Sequence, residues 1–213
     1  MRVARLFFSA ALLSLATTAR AQSVVYSNGG PDGANGAAIT DPFRIIDDFS
    51  FASLTTVNGI RFWNIQESAF DPAGFDWTIY TDAAGTPGAT VASGFAAAIR
   101  QAQGVGCCGY LRYQNDLSIA NLTLAPGTYW LNLRDNAGPP FIFWETTASV
   151  TGYGAQYGLD DPDNPNAPIG YEPIGSDLAF ELTATPEPAS IVLLASGLVG
   201  VFGIARRRSR RQA

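Results

Sequence analysis

Two adjacent cysteines, Cys107 and Cys108, are the only thiols in the sequence. They lie in the glycine-rich run Gly104-Val105-Gly106-Cys107-Cys108-Gly109, and glycine permits unusual turns. The pair could form a disulfide between the two neighbours, form disulfides to other molecules, remain as reduced thiols or bind a metal. Neighbouring cysteines can pair only within a strained ring, and strained disulfides are reduced more easily. Because these are the only two cysteines, the candidate disulfide within the chain is Cys107–Cys108.

The chain has no histidine and no lysine, because all 13 of its basic residues are arginines. It therefore lacks the base of Ser-His-Asp and Cys-His mechanisms, the histidine ligand of many zinc sites and the amine that forms Schiff bases. Paired carboxylates could still hydrolyse glycosides, but no spacing among the acidic residues singles out a pair. We expect no catalytic activity and no bound cofactor.

Two stretches rich in Asp and Asn could supply oxygen ligands to calcium. One is Asp32–Asn35, which Asp47 and Asp48 could approach, and the other is Leu159–Asn166. The second stretch lacks the glycine and the glutamate that complete an EF-hand. The alternative is a solvated acidic loop with Asx turns. The candidate ligands of a structural calcium in the second stretch are Asp160, Asp161 and Asp163.

Tryptophans could stack on sugar rings, since an indole combines a large apolar face with a polar N–H. Trp130 and Trp144 are the candidates for glycan stacking. In the run Thr128–Arg134, alternation places Trp130 on the face opposite Leu131 and Leu133. The alternative for each tryptophan is burial in a hydrophobic core.

These residues lie on short runs rich in β-branched and aromatic residues, separated by Gly, Pro, Asn and Asp. The nearest approach to a helical pattern before the C-terminal segment is Ala96–Gln103. The predicted fold is all-β: an antiparallel β-sandwich, jelly-roll-like or immunoglobulin-like. The predicted strands lie near Val24–Ser27, Ile45–Phe51, Thr56–Trp63, Asp76–Thr81, Ala89–Ala98, Leu111–Ile119, Gly127–Arg134, Phe141–Glu145 and Leu178–Thr183.

The charge of the predicted domain, residues 22–184, is strongly negative. Five arginines and 17 acidic residues give this stretch a formal net charge of −12. Nucleic-acid binding is excluded, because a phosphate backbone needs a positive surface. Cations, neutral sugars and basic surfaces remain as suitable partners.

The N-terminus has the pattern of a secretory signal peptide over residues 1–21. Arg2 and Arg5 precede the apolar run Leu6–Ala16, and the small residues Ala19 and Ala21 flank a cleavage site that leaves Gln22 first. We expect export through the Sec translocon. The alternative is an uncleaved anchor.

Residues 185–213 divide into three parts. A Pro-Glu-Pro segment comes first, and an uncharged apolar stretch follows at 189–205. As a helix, its 17 residues would cover ~26 Å, the short end of a membrane span. The basic tail should remain in the cytoplasm, so the domain would lie outside the inner membrane. The basic tail consists of Arg206, Arg207, Arg208, Arg210 and Arg211.

This three-part tail resembles the PEP-CTERM sorting signal of Gram-negative bacteria that usually make exopolysaccharide. The resemblance rests on Pro186, Glu187, Pro188 and Ala189, directly before a short glycine-containing span and a terminal arginine cluster. It implies processing by an exosortase, a membrane-embedded cysteine transpeptidase-like enzyme. The alternative is a plain membrane anchor with a proline linker.

The domain is also similar to a group of secreted β-sandwich domains found ahead of PEP-CTERM tails. That similarity supports the fold and brings no activity with it. The segments that carry it are Asn28–Gly36, Asp47–Phe49, Val57–Trp63, Trp77–Tyr80, Gly85–Gly88, Gly127–Leu131 and Asp177–Leu182.

The predicted function is that of an exported, exosortase-processed protein of the cell surface or extracellular matrix, without catalytic activity. It would be anchored transiently in the inner membrane and would then act in a biofilm or exopolysaccharide. The alternative is a carbohydrate-binding module that uses exposed tryptophans and structural calcium. A third hypothesis is a hydrolase with paired carboxylates.

Overall fold

The computed structural model describes residues 22–135, 140–148, 150–161 and 164–185. In these ranges the chain forms strands and one short 3-10 helix, Cys107–Gly109, and every strand pairing is antiparallel. The predicted all-β antiparallel class is confirmed. The strands are β1 (Ser23–Ser27), β2 (Pro31–Ala38), β3 (Phe43–Phe51), β4 (Thr55–Gln66), β5 (Gly74–Asp82), β6 (Pro87–Val105), β7 (Leu111–Leu124), β8 (Gly127–Arg134), β9 (Ile142–Thr147), β10 (Gln156–Asp161), β11 (Asn164–Pro173), β12 (Asp177–Leu178) and β13 (Phe180–Ala184).

Eight of the nine predicted strands each overlap one observed strand, and the ninth, Leu178–Thr183, spans β12 and β13. Of the eight, β6 differs most from its prediction. The helical pattern suggested for Ala96–Gln103 is wrong, because these residues continue the extended strand Pro87–Val105. Residues up to Ala97 pair with β5, and residues from Ala98 onward pair with β7. Strand β6 therefore pairs first with β5 and then, further along its length, with β7.

Three strands escaped prediction because their sequences are rich in Gly, Pro, Asn and Asp, which are depleted in strands. Asp32–Asn35, expected in a loop, lies within β2, which pairs with β9. Leu159–Asn166, also expected to be a loop, belongs to the hairpin of β10 and β11, with Asp161 opposite Asn164. The prolines of β11 are tolerated because β11 ends the order of strands and, within the described ranges, has a partner on one edge only.

The sheet has two halves that share β6. The first half has the order β1, β13, β4, β7, and the second has the order β5, β8, β3, β10, β11. Strand β9 joins the end of β4 and carries β2 and β12. Six central strands pair in nested fashion: β3 with β8, β4 with β7, and β5 with β6.

The core lies where the two halves face each other. Phe62 on β4 meets Phe75 on β5 with 4.8 Å between ring centroids, and Phe49 on β3 meets Phe180 on β13 at 6.4 Å. These four rings are almost fully buried. Each contributes about 1.5–3 kcal/mol by leaving water. Packing between halves that are not neighbours in the sheet is consistent with the predicted β-sandwich.

Residues Ser23–Ala184 form one compact unit. Within the described ranges, no helix has the length and apolarity needed to cross a membrane. The predicted transmembrane segment 189–205 lies outside the described residues, and so do the predicted signal peptide and the basic tail.

Candidate functional site

The two tryptophans predicted to stack on glycans are buried, so that prediction is corrected. Trp130 and Trp144 are both 0% exposed. Trp144 lies in the core between the halves, where its Nε1 donates to the carbonyl oxygen of Ala179 at 3.0 Å. Its indole packs on Phe62 and Phe180. Neither tryptophan has a free face for a sugar ring.

Trp130 lies on the outer face of β8, as the alternation predicted, because Leu131 and Leu133 point into the core. The segment before β10 covers its indole. The ring of Tyr153 stacks on it at 5.9 Å, and Trp130 Nε1 donates to Asp82 Oδ1 at 2.9 Å. The sequence pattern gave no sign that a distant segment would cover this face.

A cluster of three buried carboxylates, Asp47, Asp48 and Asp177, joins β3 to the segments around β12. Asp47 Oδ2 accepts hydrogen bonds from Asn28 Nδ2 at 2.9 Å and from the Leu178 amide at 2.6 Å. These bonds connect positions that are 19 and 131 residues apart. Asp47 is therefore bound to elements other than Asp32–Asn35.

The other two carboxylates of the cluster hold the segment that covers Trp130. Asp48 Oδ1 accepts the amides of Tyr153 at 2.8 Å and Gly154 at 3.0 Å. Asp177 Oδ2 accepts a hydrogen bond from the Thr151 hydroxyl at 3.3 Å. Because the bonds go mainly to backbone amides, the cluster positions the chain. Two adjacent aspartates within an apolar strand were the sequence signal for it.

Burial governs the protonation of this cluster. It raises the pKa of Asp47 well above the ordinary 3.8, and the negative charges of Asp177 and Asp48 raise it further, against the opposing Leu178 amide. Burial also raises the pKa of Asp48 and that of Asp177. Burial beside these carboxylates raises the pKa of Tyr26 to about 12. The cluster therefore favours its protonated form more than exposed aspartates do.

An uncharged groove opens beside β2. Its volume is about 350 Å³, and its lining includes two aromatic residues, Phe43 and Tyr157. Tyr157 is 37% exposed, so part of its ring is available to a ligand. Without a charge in its lining, the groove suits a neutral ligand with both apolar and hydroxyl groups. The lining residues are Asn35, Gly36, Ala37, Ala38, Phe43, Ile45, Thr146, Tyr157, Ile174 and Ser176.

Cys107 and Cys108 lie in the short helix between β6 and β7, and the structure joins them by a disulfide. The turn closes through two backbone bonds, from Gly106 to the Tyr110 carbonyl and from Tyr110 to the Cys107 carbonyl. Gly106 is required there, because an added Cβ would lie 2.6 Å from a methyl carbon of Ile65. Cys107 is buried and Cys108 is exposed.

The side chains of the three predicted calcium ligands lie outside what the structure describes. Asp160 and Asp161 lie on the backbone of β10, and Asp163 lies outside the described residues. Elsewhere in the described ranges, no group of three or more Asp, Glu or Cys residues could hold a metal ion. The calcium site at Asp160, Asp161 and Asp163 stays a prediction.

The two ends of the domain lie side by side. Strand β1 pairs with β13, with Ser23 opposite Ala184, and β13 pairs on its other edge with β4. The candidate signal cleavage residues Ala19 and Ala21, the sorting residues 186–189 and the arginine tail all lie outside the described residues. The folded unit therefore begins and ends in paired strands.

No curated protein matches this chain. The family model described as the PEP-CTERM protein-sorting motif matches residues 184–211. This stretch contains the Pro-Glu-Pro segment, the apolar stretch and the arginine cluster, so the resemblance drawn from Pro186–Ala189 is confirmed. The chain carries a PEP-CTERM protein-sorting motif that begins at the last residue of β13.

Proposed function

We propose that this chain is an exported protein whose tail is processed by an exosortase, and that it acts without catalysis at the cell surface or in the extracellular matrix. The match of residues 184–211 to the sorting motif carries this proposal. Export through the Sec translocon and transient anchoring in the inner membrane follow from the order of the signals along the chain.

The ends of the domain support processing at both termini. The compact unit spans Ser23–Ala184, so a protein trimmed to residues 22–188 keeps the thirteen strands of the described ranges. The pairing of Ser23 with Ala184 closes the two new ends within one ladder. The nested strand pairs favour the jelly-roll-like alternative over the immunoglobulin-like one.

The mass of the intact protein, recovered from medium and from membranes of an exosortase-bearing host, tests this proposal. We expect the medium to contain a form that begins at Gln22 and ends near Pro188. The membrane fraction should contain the unprocessed precursor, which still carries Arg206–Arg211. A lasting membrane form that keeps this tail, with none released, would refute exosortase processing and favour a plain anchor.

A matched pair of glutamate variants controls the experiment. Glu187→Ala alters the sorting motif, and Glu172→Ala alters β11 within the domain. We expect Glu187→Ala to reduce the released form and Glu172→Ala to leave it unchanged. Equal release from both variants would show that the motif does not direct processing.

We also propose, as a second candidate, that the groove beside β2 binds a neutral segment of exopolysaccharide. Its support is an uncharged lining in which Tyr157 and Phe43 offer ring surface and Asn35, Thr146 and Ser176 offer polar groups. Aromatic rings flanked by polar groups suit sugars, which have apolar faces and hydroxyl edges. In this proposal Tyr157 takes the sugar-stacking role that the sequence suggested for Trp130 and Trp144.

Binding of the full chain in detergent to an array of neutral polysaccharides tests the groove. Tyr157→Ala should abolish a signal that the wild type gives. Leu54→Ala is the control, since Leu54 is 69% exposed and lies outside the groove. Absence of wild-type binding, or equal loss in both variants, would contradict glycan binding at this groove.

A further inference from the structure

Asparagine is followed by glycine at three places in the chain: Asn28-Gly29, Asn35-Gly36 and Asn58-Gly59. In this dipeptide the backbone nitrogen of glycine can attack the side-chain amide of asparagine and displace ammonia, because glycine has no Cβ to hinder the approach. The reaction requires the nitrogen to lie beside the amide carbon. The fold gives the three pairs different surroundings.

The side chain of Asn28 is held away from this reaction. Asn28 is 2% exposed, and its Nδ2 donates to Asp47 Oδ2 at 2.9 Å and to the Leu178 carbonyl oxygen at 3.2 Å. The nitrogen that would attack it is engaged elsewhere, since the Gly29 N–H donates to the Ser27 hydroxyl at 3.2 Å. The first pair is therefore protected by the fold.

The pair Asn58-Gly59 lies on β4, a strand with partners on both edges. Gly59 is buried, with Ser118 of β7 opposite it on one edge and Thr183 of β13 on the other. The Asn58 Nδ2 donates to Asn121 Oδ1 at 3.2 Å, which holds the side-chain amide against β7. Attack by the Gly59 nitrogen would require this strand to move between its two neighbours.

In the pair Asn35-Gly36 the reacting groups are in contact. The Gly36 N–H donates to the side-chain Oδ1 of Asn35 at 2.9 Å, so the nitrogen lies beside the amide carbon that carries this oxygen. Asn35 is exposed, and water can therefore reach it. The register of β2 against β9 jumps from Pro31 to Gly36, and the residues between them have no opposite residue on β9.

We propose that Asn35 is a site of spontaneous deamidation in the folded protein. The Gly36 nitrogen loses its proton to a base in the solvent and forms a bond to Asn35 Cγ. The bond between Cγ and Nδ2 breaks, and Nδ2 takes up a proton and leaves as ammonia. One water molecule then opens the succinimide ring. Attack of water at Cγ gives aspartate, and attack at the backbone carbonyl carbon gives isoaspartate.

This reaction changes the groove beside β2, because Asn35 contributes to its lining. Either product replaces a neutral amide by a carboxylate, so the uncharged lining gains one negative charge. Isoaspartate also adds a methylene group to the main chain directly before Gly36, which lies opposite Glu145 of β9. An aged population of the protein therefore contains a second, more acidic form. The inference does not depend on what the groove binds, since its test measures mass.

The test is incubation of the full chain in detergent, in mildly alkaline buffer made with heavy-oxygen water. Samples are digested at acidic pH, and the peptides are analysed by mass spectrometry with electron-transfer fragmentation, which distinguishes aspartate from isoaspartate. We expect Asn35 to convert about tenfold faster than Asn28 and Asn58. Both products should be present, each with one oxygen from the solvent.

Two kinds of control separate the geometry from the chemistry. In guanidinium chloride the fold is lost, and the three pairs should convert at comparable rates. In the folded protein, Asn35→Gln should stop conversion at that position, because glutamine must close a larger and less favourable ring, and Asn58→Gln should leave conversion at Asn35 unchanged. Asparagine is changed instead of Gly36, since a Cβ at position 36 would lie 2.9 Å from the Cβ of Phe143.

Three results would overturn the proposal. Equal rates at the three pairs in the folded protein would show that the contact between Gly36 and Asn35 has no effect. An Asn35 that stays intact in the folded protein but converts in the unfolded chain would show that the fold protects it. Aspartate without isoaspartate would show direct hydrolysis instead of ring closure.

Discussion

At the scale of single residues, the buried carboxylates make stability depend on pH in an unusual direction. The folded-state pKa values of Asp47, Asp48 and Asp177 lie above the ordinary 3.8. The folded state therefore binds more protons than the unfolded state in the interval between these values. The contribution of the cluster to stability is fully present below about 3.8 and is lost as the pH rises through the folded-state values.

We predict that the free energy of unfolding increases on acidification from neutral pH towards the ordinary aspartate pKa of 3.8, because the cluster takes up protons in the folded state before it does so in the unfolded state. Asp47→Asn should reduce this increase, because a neutral side chain at that position has no proton to gain. Glu172→Gln, at an exposed position on β11, is the control and should leave the increase unchanged. Urea unfolding curves at several pH values measure the free energy of unfolding. The same dependence of this free energy on pH in wild type and Asp47→Asn would contradict the role given to Asp47.

At the scale of elements, close approach of β5 and β6 depends on Gly74. A Cβ added to Gly74 would lie 2.2 Å from the carbonyl oxygen of Ala96, a backbone atom that cannot move without displacing its strand. Gly74→Ala should therefore cost about 1–3 kcal/mol of stability, the usual range for overpacking. Denaturant unfolding measures the loss.

Gly94 provides the matched control on the partner strand. A Cβ there would meet the indole of Trp77 at 3.3 Å, so a small shift of one side chain accommodates it. Gly94→Ala should cost clearly less than Gly74→Ala. Equal losses of stability in the two variants would show that the close approach of β5 and β6 is not what requires glycine at position 74.

At the scale of the whole molecule, the paired ends predict how the domain responds to trimming. Removal of residues 1–21 and 189–213 should leave the thermal midpoint unchanged, because the compact unit spans Ser23–Ala184. Further removal of residues 22–27 should lower it, since β1 covers the free edge of β13 and Tyr26 packs on Phe49 and Phe180. Thermal melts of the two trimmed proteins test this prediction. Equal thermal midpoints in the proteins with and without residues 22–27 would contradict a stabilising role for β1.

The all-β class and most strand positions were predictable because alternation and β-propensity are local properties of the sequence. Gly127–Arg134 was predicted at the boundaries that the structure has. Strands β2 and β10 were missed because distant partners, β9 and β3, hold them extended, and β11 was missed because its Pro and Asn residues are depleted in strands. The candidate site was less predictable, since the groove is lined by residues from β2, β3, β9, β10 and the segment between β11 and β12.

The sequence by itself determined the β class of this protein and its PEP-CTERM sorting motif, because alternation and a contiguous motif need no tertiary contact. Only the tertiary structure decided which side chains are available to a ligand. Trp130 has the pattern of an outward residue, yet Tyr153 covers it. Asp47 contacts Leu178 across 131 positions. Such contacts depend on which remote segments the fold brings together, and no local pattern encodes that choice.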